Sequence, residues 1–339
     1  MVHDPATGTP ATGRGVTDEA NSPRVRLGSG VRRTYFRLSL SPKGCQVTEQ
    51  NQDVGTADEQ IPVSYGQATE KRIDDVVATC ERYGASSIIA LAGVPGTGKS
   101  YIARIAAQRL AGDPLRVREI QFHPSTTYEE FVEGLRIDSS GAITVMPGLF
   151  TEWNDLALDD PSLTWVLLIE ELTRANISAV LGELMTFVED RSRPFTTVYS
   201  RRPIKVAENL ILLSTYNPTD RSALEVDSAL LRRLRVLEFP PDQGQLAEML
   251  SRNGLPANVI ERLQQMFVGL RDQHPDDYED MMPFGHGIFA EVREEQPDLH
   301  QLWESRIRYI LRRPLVQPHP YYDQIRAAYP WTSAEFKVQ

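Results

Sequence analysis

A glycine-rich stretch that ends in lysine and serine has the clearest chemistry in this sequence. Residues 93–100 read Gly-Val-Pro-Gly-Thr-Gly-Lys-Ser, which fits the pattern G-x-x-x-x-G-K-[ST]. Glycines let backbone N–H groups turn toward a phosphate, and the N-terminus of the following helix adds partial positive charge. Lys99 would reach the β- and γ-phosphates, and Ser100 would hold Mg²⁺. The pattern therefore predicts a site for a nucleoside triphosphate.

The residues on either side give this loop the context that it needs. Residues 87–92 are a nearly continuous apolar run, which predicts a buried parallel strand. Residues 101–110 have the apolar spacing of a helix, which Gly112 and Pro114 would end. We therefore predict that the nucleotide contacts Gly93, Val94, Pro95, Gly96, Thr97, Gly98, Lys99, Ser100 and Tyr101.

Two acidic residues follow a second buried strand. Residues 165–169 are apolar and lead directly into Glu170 and Glu171. An open α/β sheet places ligand chemistry at the carboxyl ends of its strands, and P-loop enzymes use such acids for Mg²⁺ and for the attacking water. Two acids after a strand are, by themselves, equally compatible with a plain helix cap. The P-loop earlier in the chain favours the functional interpretation.

The remaining pattern predicts an α/β fold. Further strands are expected at 117–122, 210–215 and 235–239, with helices between them, which indicates a five-stranded, mainly parallel sheet covered on both faces. Single helices are expected at 67–83 and 177–188. Two β-hairpins are predicted at 134–147 and 195–208, and both are candidates for partner or pore contacts.

The two ends of the chain differ from this middle part. Residues 1–30 are rich in Gly, Pro, Ser, Thr and Ala, which predicts a disordered tail. Alternating Phe36, Leu38 and Leu40 suggest one short strand before a polar stretch at 44–64. After Pro240-Pro241 only helical patterns follow. The expected organisation is a tail at 1–60, an α/β nucleotide-binding domain at 61–240, and a helical domain with a C-terminal tail at 241–339.

Composition excludes several classes of protein. The 339 residues are 41% hydrophobic and 24% charged, with a net charge of −10, which argues against a bulk electrostatic grip on nucleic acid. No apolar run approaches the roughly 20 residues of a membrane helix, and no signal peptide is evident. Cys45 and Cys80 lack metal-ligand spacing. We therefore expect a cytoplasmic protein that makes no membrane contact.

Several stretches, taken in order, resemble the McrB-type branch of the AAA+ superfamily. Residues 121–125 read QFHPS, and residues 169–176 read IEELTRAN, which is similar to the D-E-I-N-R-A-N of that family. Residues 217–222 read NPTDRS, which looks like its M-N-x-x-D-R-S signature, and residues 284–289 read FGHGIF, which resembles I-G-H-S-Y-F in its lid. The resemblance covers roughly residues 85–315 and implies a P-loop AAA+ core followed by a small all-helical lid domain.

The resemblance also implies residue roles. Glu171 would polarise the attacking water, Asn217 would position that water, and Asp220 matches the signature acid. Arg232 and Arg233 match the arginines that reach the nucleotide of the neighbouring subunit. An arginine finger supplied in trans stabilises charge on the transferred phosphoryl group and makes hydrolysis depend on a ring.

This sequence departs from the family pattern at three positions. Glu170 stands where the family has Asp, Thr173 replaces Asn, and Tyr216 replaces Met. Ser100 and Glu170 remain the predicted Mg²⁺ ligands, although the longer acid would slow hydrolysis. McrB-type proteins use GTP and other AAA+ relatives use ATP, so the resemblance implies Mg²⁺ with either nucleotide.

The resemblance implies partners as well as chemistry. It predicts a homo-oligomer, a hexameric ring, that drives a separate nuclease or effector subunit in a restriction or defence system and meets DNA through partners. Two alternatives stay open: a MoxR-like chaperone that remodels a protein client, with the Tyr-Asn-Pro run at 216–218 in its favour, and a weakly hydrolysing assembly scaffold. His123 and His286 are interpreted as structural groups, because no second ligand stands at metal spacing.

Overall fold

The structure is a computed structural model that describes residues 33–41, 44–52, 65–137, 141–218, 232–273, 282–293, 299–312 and 319–332. The chain divides into two compact units, residues 1–63 and residues 64–339.

The first unit contains a β-hairpin where one strand was predicted. Strand β1 (Arg33–Ser41) pairs antiparallel with β2 (Gly44–Gln52), with Leu38 opposite Val47 and Leu40 opposite Cys45. The prediction missed β2 because most of its residues are polar, whereas an antiparallel ladder is built from backbone groups and accepts polar residues. The predicted disorder of residues 1–30 lies outside the described residues.

The second unit carries the remaining strands and the helices. Its described strands are β3 Ile88–Ala92, β4 Val117–Gln121, β5 Glu133–Ile137, β6 Ile143–Pro147, β7 Trp165–Glu170, β8 Phe195–Thr196, β9 Pro203–Ile204, β10 Leu210–Tyr216 and β11 Leu234–Glu238. Its described α-helices are α1 Gln67–Tyr83, α2 Lys99–Ala111, α3 Tyr128–Phe131, α4 Leu149–Asp159, α5 Ile177–Leu181, α6 Leu184–Phe187, α7 Gln243–Arg252, α8 Ala257–Gln273, α9 Leu299–Leu302, α10 Arg308–Leu311 and α11 Tyr322–Ala328.

Five of these strands form one parallel sheet in the order β11-β3-β10-β7-β4. Each strand lies within one residue of its predicted bounds at both ends, which confirms the predicted five-stranded sheet. Buried side chains of α1 and α2 pack on one face of the sheet, and those of α3 to α6 pack on the other. Because all five strands run in the same direction, their carboxyl ends lie along one edge.

Both predicted hairpins are present. Strands β5 and β6 pair antiparallel, with Leu135 opposite Val145 and Ile137 opposite Ile143, and all four side chains are exposed. The second hairpin is shorter than predicted, since only two residues of β8 pair with two of β9.

The single helix predicted at 177–188 is wrong. Gly182 has φ +50°, a backbone conformation that L side chains rarely adopt, and it separates α5 from α6. A Cβ at this position would lie 2.9 Å from the ring of Tyr128. The apolar spacing correctly predicts which residues of this segment are buried, but it contains no information about the close approach of Gly182 to Tyr128.

The C-terminal helices have a hydrophobic core of their own, with Trp303, Tyr329 and Trp331 among its fully buried members. Glu248 of α7 accepts hydrogen bonds from the backbone N–H groups of Ala68 and Thr69 at the start of α1. Assignment of these helices as a separate lid domain with a boundary near residue 240 stays a prediction. No helix among the described residues combines the length and apolar character needed to cross a bilayer.

A buried guanidinium ties the sheet to the helices around it. Arg191 is 4% exposed and donates to four backbone carbonyls, those of Gly84, Val188, Ala207 and Leu210. Burial lowers the pKa of Arg191 to about 10, so the side chain stays charged at neutral pH.

We predict that Arg191→Met lowers the free energy of unfolding by about 3–5 kcal/mol, because it leaves buried carbonyls without donors. Urea denaturation monitored by circular dichroism measures this loss. The matched control is Arg193→Met, since Arg193 is exposed and pairs with Asp190 at 2.9 Å; its expected loss is below about 1 kcal/mol. Equal losses in the two variants would contradict a special role for Arg191.

Candidate nucleotide-binding site

The glycine-rich loop has the backbone shape that its sequence predicts. It connects the end of β3 to the start of α2, and both Gly96 and Gly98 have φ +83°. These left-handed conformations, which favour glycine, turn successive backbone N–H groups toward one side. The predicted strand, loop and helix are all confirmed.

The Lys99 and Thr97 side chains form hydrogen bonds to backbone carbonyls of the loop itself. The Lys99 ammonium donates to the carbonyls of Gly93 (2.6 Å) and Val94 (2.9 Å), and the Thr97 hydroxyl donates to Val94 (3.0 Å). Lys99 thus extends back over the loop that it follows. A flexible cation in this place suits an anionic ligand cradled by backbone N–H groups.

The sheet brings the first acid to the loop helix. Glu170 is the last residue of β7 and is 6% exposed, and its Oε2 accepts from the Ser100 hydroxyl at 2.7 Å. The same oxygen accepts from the Thr215 hydroxyl. The structure thus places together the two residues that were predicted to hold Mg²⁺.

Thr215 is a site residue that sequence reasoning missed. A signal for it existed in the register of the sheet, because Ser214 of β10 lies opposite Ile169 of β7 and the next pair is therefore Thr215 and Glu170. That register requires the strand pairing, which no local motif provides.

The surroundings of the second Glu170 carboxylate oxygen indicate whether a cation fits this site. Oε1 is buried and accepts no hydrogen bond from any residue that the structure describes, and the Arg104 guanidinium lies 3.6 Å away as an ion pair. A buried carboxylate oxygen that lacks a donor needs another source of positive charge. Carboxylate and hydroxyl oxygens are ligands that suit Mg²⁺, so Glu170 and Ser100 fit this ion.

The second acid lies in an uncommon conformation. Glu171 has φ +56°, its backbone N–H donates to Thr215 Oγ1 (3.3 Å), and its carboxylate pairs with Arg174 Nε (3.2 Å). A non-glycine residue held in the left-handed region is strained and is frequent at functional sites. The Thr215 hydroxyl therefore contacts both acids, as donor to one and acceptor from the other.

The other predicted catalytic residues are dispersed. Asn217 is buried one residue beyond the end of β10, and Asp220 lies outside the described residues. Arg233 pairs with Glu189 of the same chain at 3.3 Å and is mostly buried, whereas Arg232 is exposed. Their roles stay predictions.

A segment from the C-terminal helical region contacts the loop directly. The N–H groups of Gly285 and Gly287 donate to the carbonyls of Pro95 (2.8 Å) and Gly96 (2.6 Å). A Cβ on residue 285 would overlap the Gly96 backbone, so only glycine allows this approach. Residues 284–289 stand out in the sequence through their resemblance to the family, but only the tertiary structure brings them into contact with the loop.

His286 lies between these two glycines and is almost fully buried. Its Nδ1 accepts the backbone N–H of Asp242 at 3.2 Å, which leaves the proton of the neutral ring on Nε2. Burial lowers the pKa of His286 to about 4. The ring therefore serves as a neutral bridge between the start of α7 and the loop-contacting segment.

Tyr101, the last of the predicted nucleotide contacts, lies on the outer side of α2. Its ring is half exposed and packs edge-on against Tyr65 at 6.3 Å between centroids. Tyr65 lies just before the start of α1. Contact of Tyr101 with a nucleotide stays a prediction.

Comparison with known proteins agrees with this geometry. Residues 88–234 match the AAA domain of the dynein-related subfamily. The chain is 30% identical over 261 residues to the EcoKMcrB subunit of the type IV methyl-directed restriction enzyme of Escherichia coli K12, across 72% of this chain and 56% of that protein. The chain therefore contains an AAA domain of the dynein-related subfamily and is similar to McrB-type restriction subunits over most of its length.

A second relative is the YdiS component of the type II restriction enzyme BsuMI of Bacillus subtilis, which is 27% identical over 184 residues, or 42% of this chain and 53% of that protein. The chain thus spans about half the length of both curated relatives. A crystal structure of a Cytophaga hutchinsonii protein aligns over 60% of this chain and 64% of that one, with 15% identity. Its TM-score of 0.34 is too low to support an argument.

The buried His286 predicts a pH dependence of stability. In the unfolded chain the imidazole titrates near 6.5, so between about pH 6.5 and pH 4 the unfolded state binds a proton that the folded state does not. Stability is therefore lost as the pH falls through this window. The loss from this group amounts to about 2–3 kcal/mol between pH 7 and pH 4.5.

Urea unfolding of the wild type and of His286→Gln at pH 7, 5.5 and 4.5 isolates this contribution from other titrating groups. The wild-type curve should fall more steeply than that of the variant, so that the difference between them shrinks toward low pH. Parallel curves would show that His286 titrates normally in the folded state.

Proposed function

We propose that this AAA+ protein hydrolyses ATP or GTP with Mg²⁺ and acts as an oligomeric ring motor for a separate effector subunit. The contact that supports the proposal best is the hydrogen bond from Ser100 in the phosphate loop to Glu170 at the sheet edge. It brings a hydroxyl to one point beside the loop with a buried carboxylate oxygen that has no hydrogen-bond donor within the described part of the chain. Those are the features that a magnesium–nucleotide complex requires.

Different residues of the chain have different roles in hydrolysis. Backbone N–H groups of residues 96–98 and the Lys99 ammonium bind the phosphates, and Ser100 and Glu170 hold the cation. When bound, Mg²⁺ neutralises charge on the β- and γ-phosphate oxygens. Glu171 accepts a hydrogen bond from the attacking water, and Asn217 orients that water from the neighbouring strand. The strained backbone of Glu171 supports this role, since it directs one acid differently from its neighbour.

The arginines are proposed to act between subunits. Arg233 is engaged with Glu189 within its own chain, whereas the Arg232 side chain is exposed. We therefore assign the trans-acting finger to Arg232 and a supporting role to Arg233. A finger in trans makes turnover depend on assembly, which is the physical reason to expect a ring. A hexamer is the proposed size.

The relatives suggest the kind of partner. The two curated relatives are a subunit and a component of restriction enzymes. We propose that this chain also works with a nuclease-type effector in the cytoplasm and meets DNA through that partner. The net charge of −10 supports this indirect contact, because an acidic chain lacks a bulk electrostatic attraction for DNA.

The primary test is steady-state phosphate release from ATP and from GTP over a range of protein concentrations, with Lys99→Ala as the blank. We expect turnover per subunit to rise with concentration. Glu171→Gln should lower the rate at least about 100-fold because it removes the base for the attacking water. Glu208→Gln is the control, since this exposed acid forms an ion pair with Lys205 at 3.4 Å. Absence of turnover with both nucleotides would refute the proposal.

Mixing two inactive variants tests the arginine in trans. Arg232→Ala subunits keep Glu171 but lack the finger, and their rate should fall about 10³-fold or more. Glu171→Gln subunits keep the finger but lack the base. A mixture should regain activity, because some interfaces combine an intact Glu171 with an intact Arg232. No recovery in a mixture that light scattering shows to be co-assembled would place Arg232 outside the active site.

A further inference from the structure

Arg104 lies beside the proposed metal site but is not part of it. It stands four residues after Ser100 on α2, which places both side chains on one face of the helix. Its Nε and Nη2 donate to the Glu119 carboxylate at 2.6–3.0 Å, and Nη2 lies 3.6 Å from Glu170 Oε1. One guanidinium therefore contacts two carboxylates, with the closer contact to Glu119.

The sheet explains why two acids meet this arginine. Strand β4 pairs with β7 so that Glu119 lies opposite Leu168 and Gln121 lies opposite Glu170. Side chains alternate along a strand, so Leu168 and Glu170 share one face, and Leu168 packs in the cluster that contains the buried residues of α2. Glu119 lies on that same face, directly beneath α2.

The two carboxylates differ in exposure. Glu119 is 40% exposed and holds the guanidinium by direct hydrogen bonds, whereas Glu170 is buried and its Oε1 receives no hydrogen bond from the residues described. The positive charge of Arg104 partly compensates this oxygen from 3.6 Å. The same positive charge would repel a divalent cation bound to Ser100 and Glu170, because charges at such short distances interact strongly.

We propose that Arg104 and Glu119 together set the affinity of the Ser100–Glu170 site for its divalent cation. Arg104 competes with the metal for Glu170, and Glu119 holds the guanidinium back from it. This inference rests on the proposed function, because it concerns the cation of the same nucleotide site. Arg104 and Glu119 are positioning residues, and neither contacts the reacting atoms.

The test measures binding of Mn²⁺, a paramagnetic substitute for Mg²⁺, by electron paramagnetic resonance. The full chain is saturated with a non-hydrolysable ATP or GTP analogue, so that the readout does not depend on turnover. Arg104→Gln should tighten Mn²⁺ binding about tenfold, because a competing charge is removed. Glu119→Gln should weaken it about threefold or more, because Arg104 is then released toward Glu170.

A double-mutant cycle separates this mechanism from a general change in charge. If Glu119 acts through Arg104, Glu119→Gln should have little effect in the Arg104→Gln background. Arg109→Gln is the matched control on the same helix, since Arg109 pairs with Glu70 and Asp74 instead, and it should leave Mn²⁺ affinity unchanged. Both Arg104 and Glu119 are at least 40% exposed, so these polar replacements preserve the fold.

Unchanged or weaker Mn²⁺ binding in Arg104→Gln would overturn the inference. An equal effect of Glu119→Gln in both backgrounds would overturn it as well, because the acid would then act by its own charge. If the wild type binds the nucleotide analogues but no Mn²⁺ with them, the proposed metal site itself fails, and this result is distinct from a wild type that binds Mn²⁺ with unaltered variants.

Discussion

The hydrogen bonds at the Glu170 carboxylate connect three separate parts of the chain. The acid ends β7, Ser100 begins the helix after the phosphate loop, and Thr215 lies near the end of the adjacent β10. Because the carboxylate is buried, each hydrogen bond that it accepts from a hydroxyl offsets part of the free-energy cost of removing its charge from water. The position of the loop relative to the sheet edge depends on this pairing.

The neighbouring features follow from the same constraint. Thr215 also accepts the N–H of Glu171, the residue at which the chain leaves β7 in a left-handed conformation. On the other side of the loop, Gly285 and Gly287 donate to loop carbonyls. The phosphate loop is thus held by the sheet and by the C-terminal helical region together, and a change in either contact would alter its geometry.

Local pattern was sufficient for most of the fold. Continuous apolar runs and glycine-rich punctuation predicted all five strands of the central sheet and the loop at 93–100. Pattern failed where the outcome depended on contacts distant in sequence. Gly182 interrupts a helix beside Tyr128, and the polar strand β2 pairs with β1 despite lacking an apolar signal. Neither contact can be recognised from the hydropathy pattern of the sequence.

The sequence by itself determined the P-loop, the order of strands and helices, and the acids that follow β7, because each depends on residue types close together in the chain. Only the tertiary structure decided which other groups meet there. Thr215 and Arg104 have no motif that marks them, and they reach Glu170 because parallel pairing of β7 with β10 and packing of α2 on the sheet bring distant residues within hydrogen-bonding or ion-pairing range. The physical reason is that register and helix packing are properties of the assembled sheet, and no single segment contains them.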